Sequence, residues 1–181
     1  MPKDFKKMQT GQIGEYLACA ELGRRGYVCT PFAGNMPEFD LLISDKNLKT
    51  LPIQVKTSST GKWTTDIRKW IEIDIDDTQK IQIDNGDKDI DNPNLIYICI
   101  FLRNNAKIPN TTDRFFILTK SQLQTICANG YRKGMAARNW KRSKNYKSTH
   151  SMYTVDEIKE FEDNWDLIEQ SLNSLGFNLT K

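Results

Sequence analysis

The most hydrophobic run in the chain is LIYICIFL at 95–102, flanked by Asn94 and Arg103. It is rich in β-branched and aromatic residues and shows no polar alternation. A run of that length and make-up predicts a central strand covered on both faces. Shorter runs predict further strands at 27–30, 39–44, 51–57 and 114–119 (YVCT, FDLLIS, LPIQVKT and RFFILT). WIEIDIDD at 70–77 alternates like an edge strand, and the acidic stretch KIQIDNGDKDIDNPN after it is rich in turn formers.

Helical spacing dominates elsewhere. Ile13, Tyr16, Leu17 and Ala20 form one apolar stripe, and Ala18, Cys19 and Leu22 form a second that begins at Glu15. This predicts a deeply buried helix over 11–25, ending at Gly26. Thr119 with Gln122 makes a capping box for a helix through Ala128. Thr154 with Glu157 makes another, opening a long C-terminal helix to about Leu175. The order of elements predicts one α/β domain over 1–181, a mixed central sheet flanked by helices.

Two of the strands carry polar residues where a core strand should be apolar. The segment DKNLK between them is turn chemistry, so the strands form an antiparallel hairpin. A register centred near Asn47 places Asp40 opposite Gln54 and Glu38 opposite Lys56, at the roughly 5 Å Cβ spacing of cross-strand pairs. Alternation puts Glu38 and Asp40 on one face, with Phe39, Leu41 and Ile43 on the other. Gln54 and Lys56 likewise share a face opposite Ile53 and Val55. A hairpin solvated on one side would look the same. Glu15, alone on an apolar helix stripe, points to something more. A buried carboxylate needs a cation or a metal to offset several kcal/mol of desolvation. Carboxylates, an amide and an ammonium in one place suit phosphodiester hydrolysis assisted by Mg²⁺ (or Mn²⁺).

Glu15 on the first helix, PEFD ending in Asp40, and QVK at 54–56 resemble the core of the PD-(D/E)XK nuclease superfamily. Type II restriction enzymes, Holliday-junction resolvases and some homing endonucleases belong to it. The resemblance spans roughly residues 11–60. GNMPEFDLL, IQVKTSS, LIYICIFL, RFFILT and FEDNWDLIE are similar to a bacterial family of that superfamily with a Q-x-K variant motif. The resemblance implies a restriction-endonuclease-like fold and a metal-dependent nuclease, a DNA endonuclease. It implies metal ligation by Asp40, by the Val55 carbonyl and by Glu15, with Lys56 as the catalytic lysine. Gln54 stands where most members carry Glu or Asp. Its amide oxygen can still ligate the metal but brings no charge, so the ion is held more weakly. Glu38 is a candidate to restore that charge. A catalytically weakened or inactive nucleic-acid-binding module of the same fold is therefore the alternative. Pairing as a homodimer, common among resolvases and restriction enzymes, stays open.

The net charge of +3 matters less than its segregation. The segment 131–147 holds Arg132, Lys133, Arg138, Lys141, Arg142, Lys144 and Lys147 with no acid, interleaved with Tyr131, Trp140 and Tyr146. Such a segment can neutralise phosphates and stack on bases; the plain alternative is a solvated loop. Thr57, Ser58, Ser59, Lys62 and Trp63 follow the lysine strand and are further candidates for backbone contact. The last helix is acidic, with only Lys159 opposing seven acids over 156–169, and is expected to turn its outer face away from DNA. Cys19, Cys29, Cys99 and Cys127 form no C-x-x-C pair and read as reduced core thiols of a cytoplasmic protein. His150, the only histidine, makes a zinc centre improbable. No apolar run approaches the roughly 18 residues of a bilayer span, and no secretory signal is expected at the N-terminus.

Overall fold

The computed structural model describes residues 3–32, 38–103 and 112–174, with side chains from Met8 onward. Met36 and Pro37 of the GNMPEFD segment, and the expected helix end at Leu175, lie outside the described residues.

Helix α1 (Lys3–Arg24) leads into strands β1 (Val28–Pro31), β2 (Leu41–Ser44) and β3 (Thr50–Ser58). Next come β4 (Lys62–Asp66), β5 (Ile71–Asp76), β6 (Ile81–Asp87), β7 (Ile96–Phe101) and β8 (Arg114–Thr119). Helix α2 (Lys120–Ala136), strand β9 (His150–Thr154), and helices α3 (Val155–Ile158) and α4 (Asp166–Ser174) follow. The central sheet has the order β1-β2-β3-β7-β8. All its pairs are antiparallel except β3 with β7. Parallel neighbours need a crossover, and the β4–β6 segment supplies it. Within that crossover β5 and β6 form a separate ribbon, and β4 pairs with β9.

The apolar run at 95–102 is explained by cover on both faces. Ile96, Ile98 and Ile100 pack with Ala18 and Leu22 of α1 and with Ile168 and Leu172 of α4. Tyr97 and Cys99 point the other way, against Leu123 and Cys127 of α2, Trp63 and Tyr153. Burying one such Leu or Ile side chain is worth about 1.5–3 kcal/mol, so these two layers supply most of the driving force.

The structure departs from the sequence expectation in five places. Helix α1 begins at Lys3 rather than Gly11, because KDFKKMQT is helix-compatible yet carries little apolar periodicity. Among its described side chains only the Gly14–Ala18–Leu22 stripe is buried, while Ile13 and Tyr16 are 42% and 58% exposed. Helix α2 keeps the Thr119–Gln122 capping box but runs past Ala128 to Ala136, because Tyr131 and Met135 continue its buried stripe. The acidic stretch after β5 is a strand, β6, rather than a run of turns. The long C-terminal helix is broken. Glu162 bridges to Phe116, the Asp163 N–H donates to the Phe115 carbonyl at 2.9 Å, and Asn164 donates to the Ile117 carbonyl at 3.2 Å. This stretch covers the exposed edge of β8, where ladder bonds outweigh helical propensity. Arg114 forks onto Glu162 with two 2.6 Å bonds and fixes the break.

Cys99 and Cys127 are buried, whereas Cys19 and Cys29 are half-buried with their Sγ atoms 2.7 Å apart; all four are free thiols. Among the described residues no helix is long and apolar enough to cross a membrane.

Candidate active site

The pairing of β2 with β3 stops at Leu41 opposite Ile53, while β3 continues to Ser58. Beyond that point β3 keeps β7 on one side and presents an edge on the other. Asp40 is the first residue past the end of β2. Its N–H still donates to the Ile53 carbonyl at 2.9 Å, which anchors the backbone. Its carboxylate folds over the edge of β3: Oδ2 accepts from the Val55 N–H at 2.8 Å and from the Gln54 amide Nε2. Within a ladder the N–H and C=O of one residue point to the same edge. The Val55 carbonyl therefore faces the edge that Asp40 occupies. Among the described residues both hydrogen bonds to the Asp40 carboxylate fall on Oδ2, which leaves Oδ1 for another partner.

Glu15 arrives from α1. The helix approaches β3 so closely at Gly14 that a Cβ there would lie 1.8 Å from Thr57 Oγ1. Only glycine permits that contact, and the next residue, Glu15, is carried within reach of the charges of Asp40 and Lys56. Burial raises the Glu15 pKa, the charge of Asp40 raises it further, and Lys56 opposes both. Burial lowers the Lys56 pKa, against the pull of Asp40, and the neighbouring Lys69 lowers it too. Lys56 nevertheless keeps solvent contact through a recess of about 310 Å³ that it shares with Gln54 and Glu38. Its backbone is pinned by Trp63, whose Nε1–H donates to the Lys56 carbonyl at 2.9 Å. Trp63 is itself stacked on Tyr153 at 5.4 Å.

Two of the hairpin details need correction. Phe39 packs into the α2-side cluster rather than sharing the face of Leu41 and Ile43, so the alternation ends at Asp40. Glu38 is not laddered opposite Lys56, since β2 begins only at Leu41; its carboxylate accepts from Asn92 at 2.9 Å instead.

Two carboxylates and a main-chain carbonyl are hard-oxygen donors, which is what Mg²⁺ or Mn²⁺ prefers. Among the described residues no group of three or more His, Cys, Asp or Glu is placed to hold a metal ion. Any cation here would therefore depend on Asp40, Glu15 and neutral oxygens. Gln54 turns its nitrogen to Asp40, so in this arrangement it orients that carboxylate rather than offering an oxygen.

The raised pKa of Glu15 sets a pH signature. A carboxyl whose folded-state pKa exceeds its unfolded one costs stability once pH climbs through that window, and costs nothing below it. Glu15→Gln should therefore raise the thermal midpoint at pH 7 in metal-free buffer, with the gain vanishing in acid below the ordinary glutamate pKa. Thermal unfolding followed by circular dichroism across that pH range measures it. A gain of the same size at every pH would mean that Glu15 is not strained by its neighbours.

The expected nucleic-acid contacts divide. Lys62, Lys133, Arg138, Lys141 and Lys144 are exposed. Arg132 is not a free cation, because it pairs with Asp84 at 2.6 Å and with Asp87 at 2.7 Å. Arg142 donates to the His150 carbonyl at 2.6 Å and lies over the Tyr131 ring. Ser58 is buried and closes a turn, accepting from the Thr60 and Lys62 N–H groups at 3.1 Å each. The interleaved aromatics are engaged as well. Tyr131 is buried with its hydroxyl on Gln82, Trp140 packs on the α2-side core, and Tyr146 donates to Asp77 at 2.7 Å. Charge spacing along the chain could not show Asp77, Gln82, Asp84 and Asp87 as partners, because they come from the β5–β6 ribbon.

Sequence reasoning missed Trp63 as the support of Lys56, and Lys69 as its charged neighbour. Neither follows from local pattern, since both meet Lys56 only through the crossover.

The chain path is similar to that of a bacterial homing endonuclease, I-Ssp6803I. The two share 12% identity over 92% of this chain and 95% of that one, with a TM-score of 0.48. No family model and no curated protein matches the chain.

Proposed function

We propose that this chain is a divalent-metal-dependent nuclease of the PD-(D/E)XK kind, an endonuclease that hydrolyses phosphodiester bonds in DNA. The observation that supports the reading is the Asp40 carboxylate folded over the uncovered edge of β3 onto the Val55 N–H, where its charge bears on both Glu15 and Lys56. Asp40 through Oδ1, Glu15 and the Val55 carbonyl would hold Mg²⁺ or Mn²⁺. A bound cation of this type neutralises charge on the phosphate and acidifies water. Gln54 and the Val55 N–H hold the Asp40 carboxylate in one orientation, so its second oxygen is presented without a search. Lys56 projects into the recess with a pKa below the usual lysine range. Its ammonium can orient an attacking water or offset charge growing on the phosphate. Two such sites, in a homodimer, would be needed to cut both strands at once.

The test incubates purified protein with supercoiled plasmid and branched DNA in Mg²⁺ or Mn²⁺, beside an EDTA control and Lys56→Ala. The variant should cut about 10²–10³-fold more slowly, the usual size for removing one charge-stabilising donor. Cleavage of equal rate in Lys56→Ala, or in EDTA, rejects the reading.

A second reading has its own support. Gln54 brings no charge and donates to Asp40, which favours a binding module that has lost catalysis. Calorimetric titration with Mn²⁺ separates the two. Heat of binding that Asp40→Ala removes supports the enzyme, whereas DNA binding with no metal uptake supports the module.

A further inference from the structure

Beyond Lys56, the recess of about 310 Å³ is bordered by three lysines that the hairpin motif does not include: Lys69, Lys88 and Lys120. They come from distant parts of the chain. Lys69 precedes β5, Lys88 follows β6, and Lys120 opens α2. The volume lies at the small end of the range for ligand sites, about 300–1,000 Å³. Trp70 and Tyr97 contribute apolar surface to its lining and are themselves nearly buried, at 4% and 8% exposure.

The platform beneath two of the lysines is rigid. The Lys88 N–H donates to the Trp70 carbonyl at 3.0 Å. Gln124, a buried side chain of α2, donates to the Trp70 carbonyl at 2.8 Å and to the Lys88 carbonyl at 2.7 Å. The backbone that bears Lys69 and Lys88 is thus clamped from below while both side chains stay exposed. Their charges are poorly satisfied within the protein. The contact of Lys88 with Glu72 is a long, exposed pair at 3.9 Å, of the kind worth about 0–1 kcal/mol. Among the described residues no hydrogen bond or ion pair is found for Lys69. Lys120 is partly engaged, donating to the Asp91 carbonyl at 2.6 Å. The lining also holds the carboxylates of Glu38, Asp89 and Asp91, so four ammonium groups face three acids. Glu38 is tied to Asn92, which draws on part of that negative charge. Lys69 and Lys56 both line the recess, so two like charges adjoin there.

We propose that this recess seats an internal backbone phosphate of the nucleic acid next to the scissile one, held by Lys69 and Lys88, so that these lysines are positioning residues. The inference rests on the nuclease reading above and adds to it the path of the strand: over the base of the β5–β6 ribbon rather than along the 131–147 segment alone. A phosphate held on the recess side of Lys56 would fix the register of the strand against Asp40.

The experiment measures binding of a fluorescent duplex to the full chain by anisotropy, without metal, over a salt series. It compares wild type, Lys69→Ala/Lys88→Ala, and Lys133→Ala/Lys141→Ala. Each lost phosphate contact lowers the slope of log K against log salt by about 0.9 on duplex. Because the two lysines share one phosphate, the recess variant should lose about 0.9 in slope and bind about tenfold more weakly at 0.1 M salt. A circular dichroism melt checks that it is folded, and both sites are exposed. In Mg²⁺ the same variant should raise KM with little change in kcat, the mark of a group that binds ground state and transition state alike. An unchanged slope in the recess variant overturns the proposal. If wild type cuts DNA and the recess variant cuts and binds as well, the recess is lost while the nuclease reading stands. If wild type binds with the predicted slope difference but cuts nothing, the nuclease reading is lost while the phosphate seat stands.

Discussion

Asp40→Ala should abolish metal-dependent cleavage, lowering the rate by at least about a thousandfold, because several kcal/mol of charge stabilisation at the phosphate depend on the ion it would hold. The same change should weaken the fold. The Val55 N–H and the Gln54 amide would both lose their acceptor at a partly buried edge, and an unsatisfied buried donor costs about 1–3 kcal/mol. Loss of activity could then be confused with loss of structure, and Asp40→Asn resolves it. An asparagine whose oxygen takes the place of Oδ2 keeps one acceptor for both the Val55 N–H and the Gln54 amide. The thermal midpoint of Asp40→Asn should stay near that of the parent while cleavage disappears with the charge. Plasmid nicking and a melt on the same sample measure both. An Asp40→Asn protein that melts and cuts like the parent would remove Asp40 from the chemistry.

Gly14→Ala should be the most damaging conservative change outside the site itself. The added methyl would meet Thr57 Oγ1 at 1.8 Å and Thr57 Cβ and Cγ2 at 2.9 Å. Turning the Thr57 side chain relieves the first clash and not the second, so α1 must move away from β3. Overpacking of this kind costs about 1–3 kcal/mol or more, against the roughly 1 kcal/mol that alanine adds in a helix interior. Glu15 moves with the helix, and a shift of about 1 Å at a reacting group can lower a rate about 100-fold. The control lies in the same helix: Gly11 and Gly23 have nothing within 4 Å of an added Cβ. Gly23→Ala should therefore leave cleavage intact and slightly raise stability. Thr57→Ala combined with Gly14→Ala should recover part of both losses. Equal stability and cleavage in Gly14→Ala and Gly23→Ala would mean that the contact between α1 and β3 does not position the site.

The hairpin illustrates what local pattern can reach. Its turn residues and its period of two determine a register in which Leu41 meets Ile53 and Ile43 meets Leu51, and slipping that register by one residue would turn Leu41 and Ile43 out of the core. The β7 strand was legible for a similar reason, since a run with no polar face has to be covered twice. The break in the C-terminal helix was not legible. Residues 162–164 satisfy backbone groups along the edge of β8, and such bonds are made with a strand remote in the chain.

The candidate site divides along the same line. That Glu15, Asp40, Gln54 and Lys56 are set apart from their neighbours could be read from polarity against period, because local spacing decides which face a side chain takes. Which basic residues remain available could not be read that way. Arg132 and Lys133 are adjacent in one helix, yet the first is held by two aspartates of the β5–β6 ribbon and the second is exposed. Lys69 and Lys88 join Lys56 only because the crossover between two parallel strands folds back over one face of the sheet. Short-range order in the chain thus chose the strands, the helix starts and the odd polar positions. Electrostatic partnership was left to tertiary packing, since Coulomb interactions depend on distance in space and take no account of separation along the chain.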